Sequence, residues 1–127
     1  MKNRVLIGML VCGLAASGVS SAEPKTRPAT AKEIALIRSS FDNKLKDADS
    51  AKFKDVLVYV KPGPEPVHSL CGQVNSKNSY GAYAGYSPFF GVLVPMKPES
   101  ETIVLIMSMD EVAAAMCEKE RTGTALS

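Results

Sequence analysis

Imidazole is nearly absent from this chain: 127 residues contain one histidine, His68, and only three cysteines, at positions 12, 71 and 117. Zinc and related metals are held by sets of such ligands. A histidine general base likewise needs a nucleophile and an orienting partner within reach, and the sequence picks out neither. His68, just after a proline-rich stretch, is read as a loop residue at the surface. No Cys-x-x-Cys pair marks a redox dithiol, and no long Lys/Arg run is available to displace counterions from a nucleic-acid backbone. The expectation is a chain with no catalytic set, no metal, no cofactor and no nucleic-acid partner.

Long apolar runs are missing too, except at the N terminus. Lys2 and Arg4 precede an apolar stretch from Val5 to Val19, and the small residues Ser20, Ser21 and Ala22 follow. That order is the order of an export signal, cleaved after Ala22. The stretch is short of the roughly 20 residues that cross a bilayer as a helix. The membrane is therefore expected only as a passage during export. Cys12 lies inside the apolar run behind Val11, a poor setting for lipid attachment, and is expected to leave with the signal.

Export changes the charge and the chemistry of what remains. Taking Lys2 and Arg4 from 15 basic residues leaves 13, equal to the 13 acidic ones, so the exported chain is formally neutral. Cys71 and Cys117 are then the only cysteines in an oxidising compartment, periplasmic or extracellular, and are expected to pair. The bridge closes a loop between positions 46 residues apart, for which chain entropy suggests at most about 4 kcal/mol.

Residues 23–29, with Pro24 and Pro28, read as a flexible linker, residues 30–123 as one domain and 124–127 as a tail. Thr30 and Glu33 have capping-box spacing, and Ile34, Ile37, Phe41 and Leu45 recur on one helical face, predicting a helix over 31–46. Asp47 to Ser50 reads as a turn. Strands are expected over 54–60, 67–76, 80–86 with a continuation over 89–94, and 102–107, divided by the proline connector 61–66 and by Pro95 and Pro98. Ser108 and Glu111 repeat the capping-box spacing and open a last helix that stops near Gly123. The fold class is α+β, a small antiparallel sheet of about four strands with an N-terminal and a C-terminal helix packed on it.

Function is sought in the segment from Cys71 to Phe90. Asn75, Lys77, Asn78 and Tyr80 are donors and acceptors, and Tyr83 and Tyr86 are flat amphipathic rings suited to a sugar, a peptide end or a partner backbone. Asn78 and Ser79 serve equally well as a turn. The three tyrosines share a face only if the chain bulges, for which Gly81 and Gly85 provide. The residues Asp49 to Phe53, Cys71 to Asn75, Lys77, Asn78, Gly81, Tyr83, Gly85, Pro88 and Phe89 carry a CGxVNxKN and GxYxG pattern. It resembles a group of small exported bacterial and phage-associated proteins of unknown function, over roughly residues 40–95. The resemblance implies a shared fold and an envelope setting and supplies no catalytic residues. Ala48 and Gly81-Ala82 depart from its usual turns.

The reading is an exported, non-enzymatic binding module for an envelope protein or cell-wall component, acting as an inhibitor or accessory factor through Asn75, Lys77, Asn78, Tyr80, Tyr83 and Tyr86. The alternatives are a small envelope hydrolase using Lys77 with Ser76 or Ser79, or carboxylates brought in from elsewhere, and a structural subunit of an envelope assembly. Intact mass after alkylation, with and without reductant, checks the cysteines. Protein taken from the envelope should carry no alkyl group before reduction and two after it; two labelled thiols without reductant refute the bridge.

Overall fold

Neighbours in sequence become neighbours in the sheet. The computed structural model describes residues 24–123; the expected export signal, Cys12 and the expected tail lie outside the described residues. Five strands, β1 (Thr26–Pro28), β2 (Lys52–Tyr59), β3 (His68–Asn75), β4 (Ser87–Val94) and β5 (Ile103–Met109), pair antiparallel in chain order. Helix α1 (Ala31–Ser40) lies between β1 and β2, and α2 (Asp110–Thr122) follows β5. The α+β class holds, and the sheet has five strands where about four were expected.

The added strand comes from the segment expected to be a linker. Thr26, Arg27 and Pro28 pair with Tyr59, Val58 and Leu57, and the Val60 N–H donates to the Lys25 carbonyl at 2.8 Å. Proline is tolerated because β1 is an edge strand. Arg27 then grips Glu33 of α1 through two bonds of 2.7 and 2.8 Å, so the folded unit begins ahead of Thr30.

The expected strand over 80–86 is a loop. Gly81 and Gly85 have φ of 79° and 104°, outside the extended region, and only the isolated bridge between Lys77 and Tyr83 pairs there. The anticipated continuation is β4 itself, which carries Pro88 near its start, where it pairs with β3 just before the β5 ladder begins. α1 is capped by the Thr30–Glu33 box but stops at Ser40 instead of 46. Ser39, Ser40, Asp42 and Asn43 compete for backbone hydrogen bonds and weaken a helix interior; the Ser40 hydroxyl donates to the Val104 carbonyl at 2.7 Å. A short 3₁₀ turn, Ala48–Ser50, follows, capped by Asp47. At the other end Ser108 stays in β5 and caps nothing, its buried hydroxyl having no hydrogen-bond partner. α2 begins at Asp110 and ends on Gly123 in the left-handed conformation.

Each face of the sheet has its own core. On one, α1 seats Ile37 and Phe41 against Val58, Leu70, Phe89, Leu93, Val104 and Ile106. Phe41 meets Phe89 edge-on with centroids 5.4 Å apart, and Phe53 closes the group. On the other face α2 places Ala113 against Tyr59, Cys71 and Phe90. A disulfide joins Cys71 to Cys117 with Cα atoms 5.8 Å apart, and ties α2 to β3. Phe41 is fully buried, so Phe41→Ala should lower unfolding free energy by about 3–5 kcal/mol in a denaturant titration; a loss under about 1 kcal/mol would show that this seat is not tightly packed.

Candidate functional site

Between β3 and β4 the chain does not take a tight hairpin turn. Residues 76–86 fold back over the start of β2, pinned by bonds that sequence alone could not assign. The Lys77 N–H donates to the Ser50 hydroxyl at 3.1 Å, and the Tyr83 hydroxyl donates to the Ser50 carbonyl at 3.1 Å. Asn78 accepts the N–H groups of Tyr80 and Ala82 on one side-chain oxygen, at 2.9 and 3.2 Å. Asn75 accepts the N–H of Gly85 at 3.0 Å. The carboxamide oxygens of both asparagines are therefore braces that shape the loop.

The tyrosines divide differently. Lys52 Nζ lies 4.4 Å from the centre of the Tyr83 ring and Lys77 Nζ 5.7 Å from it, while Lys54 Nζ lies 5.0 Å from the centre of the Tyr86 ring. Lys52 and Lys54 are two apart on a regular stretch of β2, paired with Asn75 and Gln73, so their side chains share a face. It is the α2 face, since Cys71 alternates with Gln73 and Asn75 on β3. Tyr83 and Tyr86 thus lie on one surface, 40% and 41% exposed, and Tyr80 projects from the tip at 94%. Each lysine–ring contact is worth about 0.5–1 kcal/mol at an exposed site.

Of the residues singled out from sequence, Lys77, Tyr83 and Tyr86 come together, Asn75 and Asn78 support them from within, and Tyr80 stands apart. Lys52 and Lys54 were missed. Their alternation in Lys52-Phe53-Lys54 is visible, but the loop that meets them lies more than twenty residues away in sequence. Among the described residues no carboxylate or imidazole contacts Ser76 or Ser79, and the Lys77 ammonium meets a ring instead of a serine hydroxyl.

His68 corrects a further expectation. It is not in a surface loop but in β3, 8% exposed, with its Nδ1 accepting the Lys61 N–H at 2.9 Å. Burial lowers its pKa, helped by the positive charges of Arg27 and Lys61 and opposed by Glu33. Ser69, the next residue, faces the other side, where its hydroxyl donates to Glu120 Oε1 at 2.6 Å while Lys61 Nζ bonds Oε2 at 2.6 Å. This trio, in which Ser69 and Glu120 are buried and Lys61 is partly exposed, was also missed; its only sequence trace is that Glu120 falls on the helical line of Val112 and Met116.

No family model, curated protein or solved structure matches the chain. Among the described residues no group of three metal-ligating side chains is clustered, and no helix is long and apolar enough to cross a membrane.

The His68 environment makes stability depend on pH. Because the folded state lowers the pKa, folding favours the neutral ring; that contribution is complete above about pH 6.5 and is lost as pH falls toward the lowered value. Glu33 adds a separate loss in the acid range, since its bond to Arg27 holds its pKa down. In melting curves between about pH 7 and 5, His68→Asn, which keeps an acceptor but cannot titrate, should flatten the decline. An identical decline in both proteins would exclude His68 as its source.

Proposed function

We propose that this chain is an exported, non-enzymatic module that binds an envelope protein or a cell-wall component through the surface of Tyr83 and Tyr86. The observation that carries the proposal is that both rings lie on one face, each backed by a lysine ammonium, on a loop whose polar backbone groups are bonded internally. Such a surface costs little to organise on binding, because its shape exists beforehand. Rigid aromatic area beside mobile cations suits a sugar ring or a peptide carrying carboxylates.

Export is supported by the Cys71–Cys117 bridge, a form of stabilisation that persists in oxidising compartments. Periplasmic or extracellular residence is part of the same proposal, as is the kinship with small exported bacterial and phage-associated proteins. The hydrolase alternative gains nothing from the geometry around Lys77, Ser76 and Ser79.

The test is retention on isolated cell-wall material and on immobilised envelope proteins. Tyr83→Ala/Tyr86→Ala should reduce binding by about tenfold or more, the loss of roughly 1.4 kcal/mol expected of a central aromatic pair. Asn75→Ala is a separate control that should act through loop order and lower protection of the Gly85 amide from hydrogen exchange. Equal retention of wild type and the double tyrosine variant on every material would remove this surface from consideration.

A further inference from the structure

The α2 face carries a second feature, apart from the tyrosines and of opposite charge. α2 leaves β5 at Met109, packs Ala113 over Phe90 and Cys71, and reaches Ser69 of β3 with Glu120. A helix on that course leaves one region of the sheet uncovered. It holds a cavity of about 530 Å³ between α2 and the 61–67 connector, floored by Phe90 and Val92 and walled by Met116 and Val67. Its polar end is the Lys61–Glu120–Ser69 trio, already satisfied within itself.

The floor does not stop at the cavity. Val92 pairs in register with Leu105, so the apolar surface runs straight onto β5, where Ile103, Leu105 and Met107 are 44%, 52% and 60% exposed. Val112, near the start of α2, is also exposed. Single exposed apolar residues need no explanation, but a contiguous stripe opening into a cavity marks a docking surface. The contrast with the opposite edge is informative. β1 is three residues long, contains a proline and has its arginine tied to Glu33, all devices that discourage association; β5 has seven residues with neither charge nor proline. Docking here is by the face, since the Ser40 hydroxyl already engages the Val104 carbonyl of the β5 backbone.

Charge decides the occupant. Glu101 precedes β5, Asp110 and Glu111 follow it, and Glu65 stands on the cavity's connector, whereas Glu99 lines a pocket on the α1 face. Against these four carboxylates stand Lys97 and Lys119, Lys61 being paired with Glu120. A second copy laid on the stripe would bring acidic margin against acidic margin, which costs association. An anionic lipid surface meets the same objection. We propose that the groove docks a segment of a partner protein that presents an apolar stripe with Lys or Arg along its margins, one large apolar side chain entering the cavity while the stripe covers Leu105 and its neighbours.

Two short synthetic amphipathic peptides test this by fluorescence anisotropy on the protein with its bridge intact. Both carry the same leucine stripe and a central phenylalanine; one has lysine margins and the other glutamate. The lysine peptide should bind at least about tenfold more tightly than the glutamate peptide. Leu105→Asp and Met116→Trp, both at exposed positions, should each weaken it by about tenfold, and Glu65→Lys/Glu101→Lys should narrow or reverse the preference between peptides. Retained melting temperatures certify each variant, and the charge-reversal variant keeps the test decisive if either apolar variant fails to fold. Equal binding of the two peptides, indifference to all three variants, or a Leu105-dependent dimer in sedimentation of the protein alone would each overturn the proposal.

Discussion

The register of β3 is the constraint on which the rest of the molecule depends. Its residues alternate between two buried faces, so Leu70 and Val74 enter the α1 core with His68 beside them, while Ser69, Cys71, Gln73 and Asn75 serve the other side. A slip of one residue would exchange the two sets. It would then point the bridge away from α2, strand Glu120 without its serine and remove the acceptor that holds Gly85. Pairing to β2 on one side and β4 on the other makes such a slip costly. One strand thereby fixes the disulfide, the Lys61–Glu120–Ser69 trio and the base of the tyrosine loop.

What could be read from the sequence follows the range of the interactions involved. Capping at Thr30, the turn at Asp47, the stop at Gly123 and the strand character of β2 to β5 are set by neighbours a few residues apart, and they were legible. The pairing of Cys71 with Cys117 was legible for a different reason, since residues 24–123 contain no other cysteine. β1 was hidden because Pro28 within it and Pro24 just before it argue against a strand unless its edge position is known. The end of α1 was blurred by Leu45, which keeps the helical period and packs partly against the core although the helix has already stopped.

The candidate site was half legible for the same reason. The composition of 75–86 announced a special segment, but asparagine serves equally as a ligand group and as a backbone brace. Only the observed bonds to Gly85, Tyr80 and Ala82 assign it to the second role. Lys52 and Lys54 enter the site through a fold-back that no local pattern encodes. Glu120 was obscured by its type, since glutamate on a terminal helix is usually solvated, whereas here it is buried between a serine and a lysine. The α2 face therefore carries two surfaces of contrasting character, lysine-backed rings at the β2 end and an acid-margined apolar stripe at the β5 edge.

The position of Cys117 in the last helix has a consequence for biogenesis. On the export route proposed above, a chain crossing a membrane from its N terminus delivers β3 and the thiol of Cys71 well before α2 follows, so the sheet can assemble while that thiol still waits for its partner. Among residues 24–123 each cysteine has only the other to meet. Oxidation within the folding unit therefore has a single product, and the domain has no wrong intramolecular bridge for an isomerase to repair. The bond acts as a final latch on a sheet whose order is already set by chain connectivity.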